Sequence, residues 1–314
     1  MKPLNLVPIK PNLNFIGRKK IFFTFSVLLV ALAIGLFTSR GLNFGIDFQG
    51  GILIEVRMSE GGKLAEMRTN LSNLGLGEVA LQEFGQPTDI LIRIQKQEGG
   101  EKAQQVAVDK LKAALGDGVK YRRTEFVGPQ VSRELFRDGV IAVMLAIVGI
   151  LAYIWFRFEW QFGLGAIIAL LHDVITTIGI FALTGLEFNL STVAAILTIA
   201  GYSINDTVVV YDRVRENLRK YKTMPLLELL NNSINETLSR TVMTSLTTML
   251  ALVSLYVLGG EVIRGFSFAL IWGVVIGTYS SICVAVPLLL YLNVNRGVQG
   301  SGRSSHGEQA EPAE

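Results

Sequence analysis

Apolar residues along this chain are clumped rather than evenly spread. Six runs, at 21–37, 139–156, 162–184, 190–211, 241–258 and 266–292, approach or exceed the ~18–20 residues a helix needs to cross hydrocarbon. Between the first two runs the pattern changes. Residues 51–58 read as a strand, and 62–76 as a helix around Leu64, Met67 and Leu71. Stretches 79–84 and 88–94 alternate apolar and polar positions and are split by the turn signal Gly85-Gln86-Pro87. Ala103, Val106, Val108, Leu111 and Leu115, closed by Gly116, suit an amphipathic helix over 101–115, and 119–127 is a further strand. The order β-α-β-β-α-β is that of a ferredoxin-like sandwich. The predicted fold is an α-helical polytopic membrane protein of six transmembrane helices, with a small α+β ferredoxin-like extracytoplasmic domain between helices 1 and 2.

Charge sets the orientation. Arg18-Lys19-Lys20 precede the first run, the segment after the fourth carries Arg213, Arg215, Arg219, Lys220 and Lys222, and the tail carries Arg296 and Arg303. Basic residues mark the cytoplasmic side, and these segments all fall on one side of a six-span path. The resulting plan has a cytoplasmic N-terminus at 1–20 and spans at 21–38, 138–156, 162–184, 190–212, 240–259 and 265–292. The extracytoplasmic domain covers 39–137, a cytoplasmic loop 213–239, and a disordered cytoplasmic tail 293–314. Residues 224–239 carry Leu226, Leu227, Leu229, Leu230 and Ile234, and fit either a helix on the membrane surface or an extension of the fifth span. The first run lacks a small-x-small cleavage pattern and reads as an uncleaved signal anchor.

Composition then narrows function. A net charge of +3 over 314 residues implies no nucleic-acid partner. The single cysteine, Cys283, lies inside the last run, so a disulfide framework and redox chemistry are not expected. Segment 39–137 contains no His, no Cys and no Gly-rich phosphate loop. It reads as a folded binding or lever domain rather than an enzyme, with no metal or cofactor implied.

The chemistry-bearing residues lie within the spans. Asp206, flanked by Asn205 and Thr207, sits in the fourth run, where an ionisable side chain costs ~2.5–3.5 kcal/mol at the bilayer centre and is functional by default. Arg240 is its candidate partner, and Thr244, Thr247 and Thr248 continue the Arg240 face at helical spacing. Loss of water favours the neutral acid and a nearby guanidinium favours the carboxylate. A small movement tips such a balance, as a proton-coupled switch requires; a static ion pair is the alternative reading. His172 and Asp173 lie midway along the third run, with Thr176 and Thr177 on the Asp173 face. They read either as a second protonatable relay or as a packing pair that fixes helix register. Gly273 and Gly277 form a GxxxG contact signal, with Ser280 and Ser281 one turn on and Pro287 marking a kink.

Several of these stretches resemble one known family. Gly45-Ile46-Asp47-Phe48-Gln49-Gly50-Gly51 is similar to the G-x-D-F-x-G-G signature of the SecD/SecF proteins of the RND superfamily, with Gly45, Asp47, Gly50 and Gly51 as its fixed positions. Val127-Gly128-Pro129, Arg157-Phe158-Glu159-Trp160, His172-Asp173, the 201–213 stretch and the 239–248 stretch resemble SecF counterparts, and the likeness runs from about Phe15 to Asn293. The resemblance implies half of an RND-like twelve-span unit, completed by SecD, and a SecYEG channel as client, with YajC and YidC as further associates. It implies that the proton motive force promotes translocation of an unfolded secretory polypeptide across the membrane after the ATP-driven stage. It assigns proton coupling to Asp206 and Arg240, with Asp173 and His172 as further polar members, and Asn205, Thr207, Thr244 and Thr248 in support. The sequence leaves proton and sodium coupling open, and a plasma membrane and a thylakoid membrane equally so. Two other readings stand beside it: an RND-like exporter of small molecules or lipids, and a structural subunit that only stabilises SecD.

Overall fold

The computed structural model of the chain describes residues 12–58, 64–77, 79–97, 99–116, 119–292 and 294. Most of the predicted cytoplasmic N-terminus, and the tail read as disordered apart from Val294, lie outside them. Six helices are long and apolar enough to cross a membrane. In chain order the elements are helix α1 (Lys19–Arg40), strand β1 (Asn43–Phe44), the short helix α2 (Ile46–Gln49), β2 (Gly51–Met58), α3 (Leu64–Ser72), β3 (Val79–Phe84), β4 (Gln86–Ile94), α4 (Gly100–Leu115) and β5 (Val119–Val127). They continue with α5 (Pro129–Arg157), α6 (Trp160–Thr184), β6 (Glu187–Phe188), α7 (Leu190–Lys220), α8 (Leu226–Leu258), α9 (Arg264–Ser280), a π-helical segment (Ser281–Ala285) and α10 (Val286–Leu288).

The sheet of the small domain has the order β3-β4-β2-β5 with every neighbour antiparallel, which is the ferredoxin-like arrangement. Ile52, Ile54 and Val56 alternate along β2 and meet Ile90, Ile92 and Ile94 of β4 on the face covered by Leu71 of α3 and Leu111 of α4. The opposite face is also used: Leu53 and Leu91 pack on Ile46 of α2. A bulge between Glu55 and Val56 leaves Arg122 as the extra residue of β5, and its guanidinium reaches Glu55 at 3.1 Å and Asp89 at 3.2 Å.

The third, fourth and sixth spans (α6, α7 and α9) form the buried centre of the bundle, while α1, α5 and α8 keep most of their surface exposed. The GxxxG pair brings two of the central helices together. A Cβ at Gly273 would overlap Ile199 of α7, and one at Gly277 would stand 3.1 Å from the Ser203 Cβ. Glycine at both positions therefore permits the close α7–α9 approach.

Two boundaries differ from the sequence plan. The stretch 213–239 is mostly helix, because α7 runs on to Lys220 and α8 starts just after Pro225. Buried Leu229, Leu230 and Ile234 join the core of the bundle, so 226–239 is an extension of α8. Similarly, α5 starts at Pro129, a residue whose missing N–H is harmless in a first turn, rather than near 138.

Candidate functional site

Asp173 is the centre of a closed polar cluster. It is fully buried on α6; its Oδ2 accepts from Ser203 Oγ of α7 at 2.6 Å and from Ser280 Oγ of α9 at 2.8 Å. Its Oδ1 lies 2.9 Å from His172 Nδ1. Three helices thus converge on one carboxylate. Thr176 and Thr177 do not join them: their hydroxyls turn back to the Asp173 backbone carbonyl at 3.1 and 2.7 Å, as hydroxyls in helices do when the preceding turn offers a free lone pair. His172 Nε2 is buried and unpartnered among the described residues, and the ring lies 6.0 Å from that of Tyr279. Tyr279 in turn bonds Ser26 and the Phe22 carbonyl of α1, both at 2.9 Å.

The residues around Asp206 divide between inside and outside. Asn205 is exposed, Asp206 is 3% exposed, and Thr207 is buried with its hydroxyl 2.8 Å from Ser281 Oγ. One carboxylate oxygen of Asp206, Oδ2, is buried without a hydrogen bond among the described residues. An unmatched buried oxygen on an acid is costly to leave charged, and so calls for a proton, a cation or a moving partner. Thr278 of α9 stands beside it, and the Thr278 hydroxyl bonds Ser245 of α8 at 2.7 Å.

The direct pair expected between Asp206 and Arg240 is not formed. Arg240 is exposed and makes no ion pair among the described residues, although its charge lies within electrostatic reach of Asp206. Arg240, Thr244 and Thr247 line an exposed face of α8, and the two threonine hydroxyls bond back to carbonyls of their own helix at 2.9–3.1 Å. Thr248 is half-buried on the same side. The residues that sequence reasoning missed as Asp173 partners are Ser203 and Ser280. Ser280 sat in view only as a small packing residue, and the i, i+3 spacing of Ser203 and Asp206 was the available signal.

Below Ser280 the last span changes geometry. Pro287 has no N–H, the preceding turn widens into the π segment, and the Ala285 carbonyl accepts from the buried Tyr211 hydroxyl of α7 at 3.1 Å. The helix break thus places Ser281 against Thr207 while its backbone is satisfied from α7.

The glycine-rich stretch after α1 forms the joint between bundle and sheet domain. β1 and β6 pair in parallel, Asn43 opposite Glu187 and Phe44 opposite Phe188. Asp47 Oδ2 accepts the Leu190 N–H at 2.9 Å, where the positive end of α7 favours a carboxylate. Asn189 and Thr192 close the same helix end as a capping box. A Cβ at Gly45 would collide with the Glu187 carboxylate, and one at Gly51, whose φ is +120°, would stand 2.5 Å from the Ile94 carbonyl. Gly50 ends α2 at φ +72° with its N–H on the Ile46 carbonyl at 2.8 Å. These four motif residues are therefore fixed by backbone approach and helix-end chemistry rather than by catalysis. Among the described residues no cluster of His, Cys, Asp and Glu could hold a metal ion.

Comparison with known proteins agrees with this architecture. A family model described as "Protein export membrane protein SecD/SecF, C-terminal" matches residues 107–295, and one described as "SecD/SecF GG Motif" matches 35–61. The chain is 48% identical to the protein translocase subunit SecF of Rickettsia rickettsii over 94% of its own length and 96% of that protein. It is likewise 48% identical to SecF of Cereibacter sphaeroides, covering 94% of each chain. Among solved structures it is similar to SecDF from Thermus thermophilus, with a TM-score of 0.83 and 39% identity over 91% of this chain. It is also similar to SecDF in a super-membrane-facing form, with a TM-score of 0.67 and 39% identity. In both cases it spans only 39% of the SecDF chain. The chain belongs to the SecF family of multi-pass membrane subunits that serve Sec protein export.

Proposed function

We propose that this subunit, joined to SecD, uses an ion gradient to promote export of secretory polypeptides after the ATP-driven stage, with Asp206 as the coupling acid. The observation that carries the reading is the buried, unmatched Asp206 oxygen facing a bundle whose exposed α8 carries Arg240 within electrostatic reach. A proton arriving at Asp206 removes the buried charge; its departure restores it and draws the acid toward Arg240. One elementary charge crossing ~100 mV supplies ~2.3 kcal/mol, enough to shift a two-state equilibrium about 50-fold. Asp173, held by Ser203 and Ser280 on the helices that also carry Asp206 and Thr278, transmits the change between α6, α7 and α9.

SecD covers the exposed polar face of α8, because Arg240 and the threonine stripe are poorly suited to lipid. The termini lie in the cytoplasm, by the basic segments at that end of the bundle, and the sheet domain projects on the other side as a lever toward the emerging chain. SecYEG is the channel served, with YajC and YidC as further associates. The coupling ion in this reading is the proton, because one proton on the unmatched Asp206 oxygen satisfies it.

Asp206→Asn decides the matter in membrane vesicles. The expected result is preserved copurification with SecD and loss of potential-driven export. Unchanged export would remove Asp206 from the coupling step, and collapse of the complex would favour a purely structural role. Export measured under separate pH and sodium gradients tests the choice of ion.

A further inference from the structure

At the basic end of the bundle, a hollow of about 430 Å³ lies between the ends of α5 and α7, lined by Arg157, Asp212, Arg215, Glu216, Arg219 and Lys220. Its two carboxylates already have cationic partners. Asp212 pairs with Arg157 at 2.9 Å, and Glu216 pairs at 2.7 Å with Arg213, which stands outside the hollow. Arg215 is steadied by a bond to the Arg157 carbonyl at 3.3 Å and has no carboxylate partner among the described residues. Arg219 makes no hydrogen bond or ion pair among the described residues, and Lys220 only lies over the Tyr221 ring at 5.1 Å. Three cations therefore face one hollow without an anion of their own. Positions 212, 215, 216 and 219 share one face of α7 at helical spacing, so the charges converge rather than fan out.

A second observation fixes what kind of anion fits. Trp155 is 80% exposed, Phe156 94% and Trp160 63%, and all three lie within three residues of Arg157. Such bare aromatic rings at the end of an apolar span belong at the level of lipid headgroups. We propose that the hollow binds the phosphate of an anionic phospholipid of the phosphatidylglycerol or cardiolipin class, whose acyl chains run down the surface of α5 past Trp155 and Phe156. The guanidinium forks of Arg215 and Arg219 match two phosphate oxygens each, and Lys220 adds a point charge. The bound lipid bridges α5 to the end of α7, the helix that carries Asp206 further along.

The test uses the full chain in lipid nanodiscs, with native mass spectrometry counting retained phosphatidylglycerol or cardiolipin against phosphatidylcholine. The wild-type chain is expected to prefer anionic lipid by ~10-fold. The attraction of three basic residues for an anionic surface is on the order of 100-fold before it is discounted for salt and for the nearby carboxylates. Arg215→Gln with Arg219→Gln and Lys220→Gln is expected to bring the preference to within about 2-fold. Glu216→Gln, which removes a negative charge from the rim, is expected to raise it, and that gain separates a lost site from a damaged fold. Equal anionic preference in the triple variant, or a fall in preference in Glu216→Gln, overturns the proposal. So does displacement of the lipid by equimolar inorganic phosphate or glycerol phosphate, which would mark a site for a free anion.

Discussion

Arg93, on an inner strand of the sheet domain, donates to Glu187 in the loop between the third and fourth spans at 2.5 Å, and its second terminal nitrogen reaches Asn43 at 2.8 Å. One side chain thus ties both strands of the β1–β6 joint to the domain above. Glu187 belongs to the segment immediately before α7, and Asp47 of the glycine motif caps that helix. These three contacts couple the start of the fourth span to the sheet domain.

Arg93→Gln is expected to loosen the joint by about 3 kcal/mol, because it leaves a mostly buried carboxylate without its cation. Amide exchange of peptides covering 43–48 and 186–190 should rise, while peptides of β2 stay protected. Burial raises the Glu187 carboxyl above its usual range, and Arg93 opposes that shift without cancelling it. The folded joint therefore holds its proton more tightly than the unfolded chain. Its stabilisation is complete below the ordinary glutamate value of ~4.3 and falls as pH rises through the folded value. Glu187→Gln should flatten that slope, and an unchanged slope would place the titration elsewhere.

Asp89 behaves in the opposite sense. Its bidentate bond to Arg57, 2.6 Å on each oxygen, holds the carboxyl below the usual aspartate range, with the Arg57 and Arg122 charges adding to the effect. The stabilisation is complete above the ordinary aspartate value of ~3.9 and is lost as pH falls through the folded value. Arg57→Gln is expected to shift acid-induced exchange of β2 and β4 to higher pH in the full chain. No shift would mean that Arg122 alone holds the carboxylate.

The spans and the sheet domain were legible because their signals are local. Apolar runs of membrane length and the strand alternation of 79–94 need no knowledge of neighbours, and β2, β3 and β5 begin and end where the pattern does. The extension of α8 over 226–239 was one of two readings the leucines allowed, and the sequence did not choose between them; the run of α7 on to Lys220 was not legible. Burial of the α8 extension depends on Leu229 and Leu230 meeting residues far away in sequence, such as Ile16. The site divided in the same way. Asp173 and Asp206 stand out as acids in apolar runs, but their partners do not: Ser280 is 107 residues from Asp173. The expected Asp206–Arg240 pair came from two opposite charges in neighbouring spans, and the sequence does not fix which face of α8 looks inward.

Removing the hydroxyls on Asp173 tests the closed cluster. Ser203→Ala and Ser280→Ala each delete one bond to the same oxygen, and in a membrane such a bond is worth about 0.6–2 kcal/mol. Each single variant is expected to leave the other bond in place and reduce potential-driven export modestly. The double variant strands a buried carboxylate oxygen and is expected to lose more than the sum of the two. Strict additivity in the export assay would mean that the hydroxyls act separately rather than through Asp173.

Arg240 offers a test of charge against geometry. A bidentate Asp206 pair would make Arg240→Lys a poor substitute, since lysine lacks the planar fork. With Arg240 exposed and acting on Asp206 through space, position and charge matter more than the fork. Arg240→Lys is therefore expected to keep most potential-driven export and Arg240→Gln to lose it. Equal loss in both variants would show that a direct pair forms at some stage of the cycle.

The α7–α9 seam is the last point at which packing and coupling meet. A side chain at Gly273 would overlap Ile199, so Gly273→Val is expected to cost about 1–3 kcal/mol by forcing the two helices apart. Asp173 is held from both of those helices, by Ser203 and Ser280, so separation should also weaken the cluster. Ile199→Ala empties the space that the new side chain needs. On its own it is expected to destabilise through a cavity; combined with Gly273→Val it should recover part of both stability and export. A double-mutant cycle on unfolding in detergent measures that recovery. If the double variant is no better than Gly273→Val alone, the clash with Ile199 is not what the glycine avoids, and the close approach of α7 and α9 must rest on Gly277 against Ser203 instead.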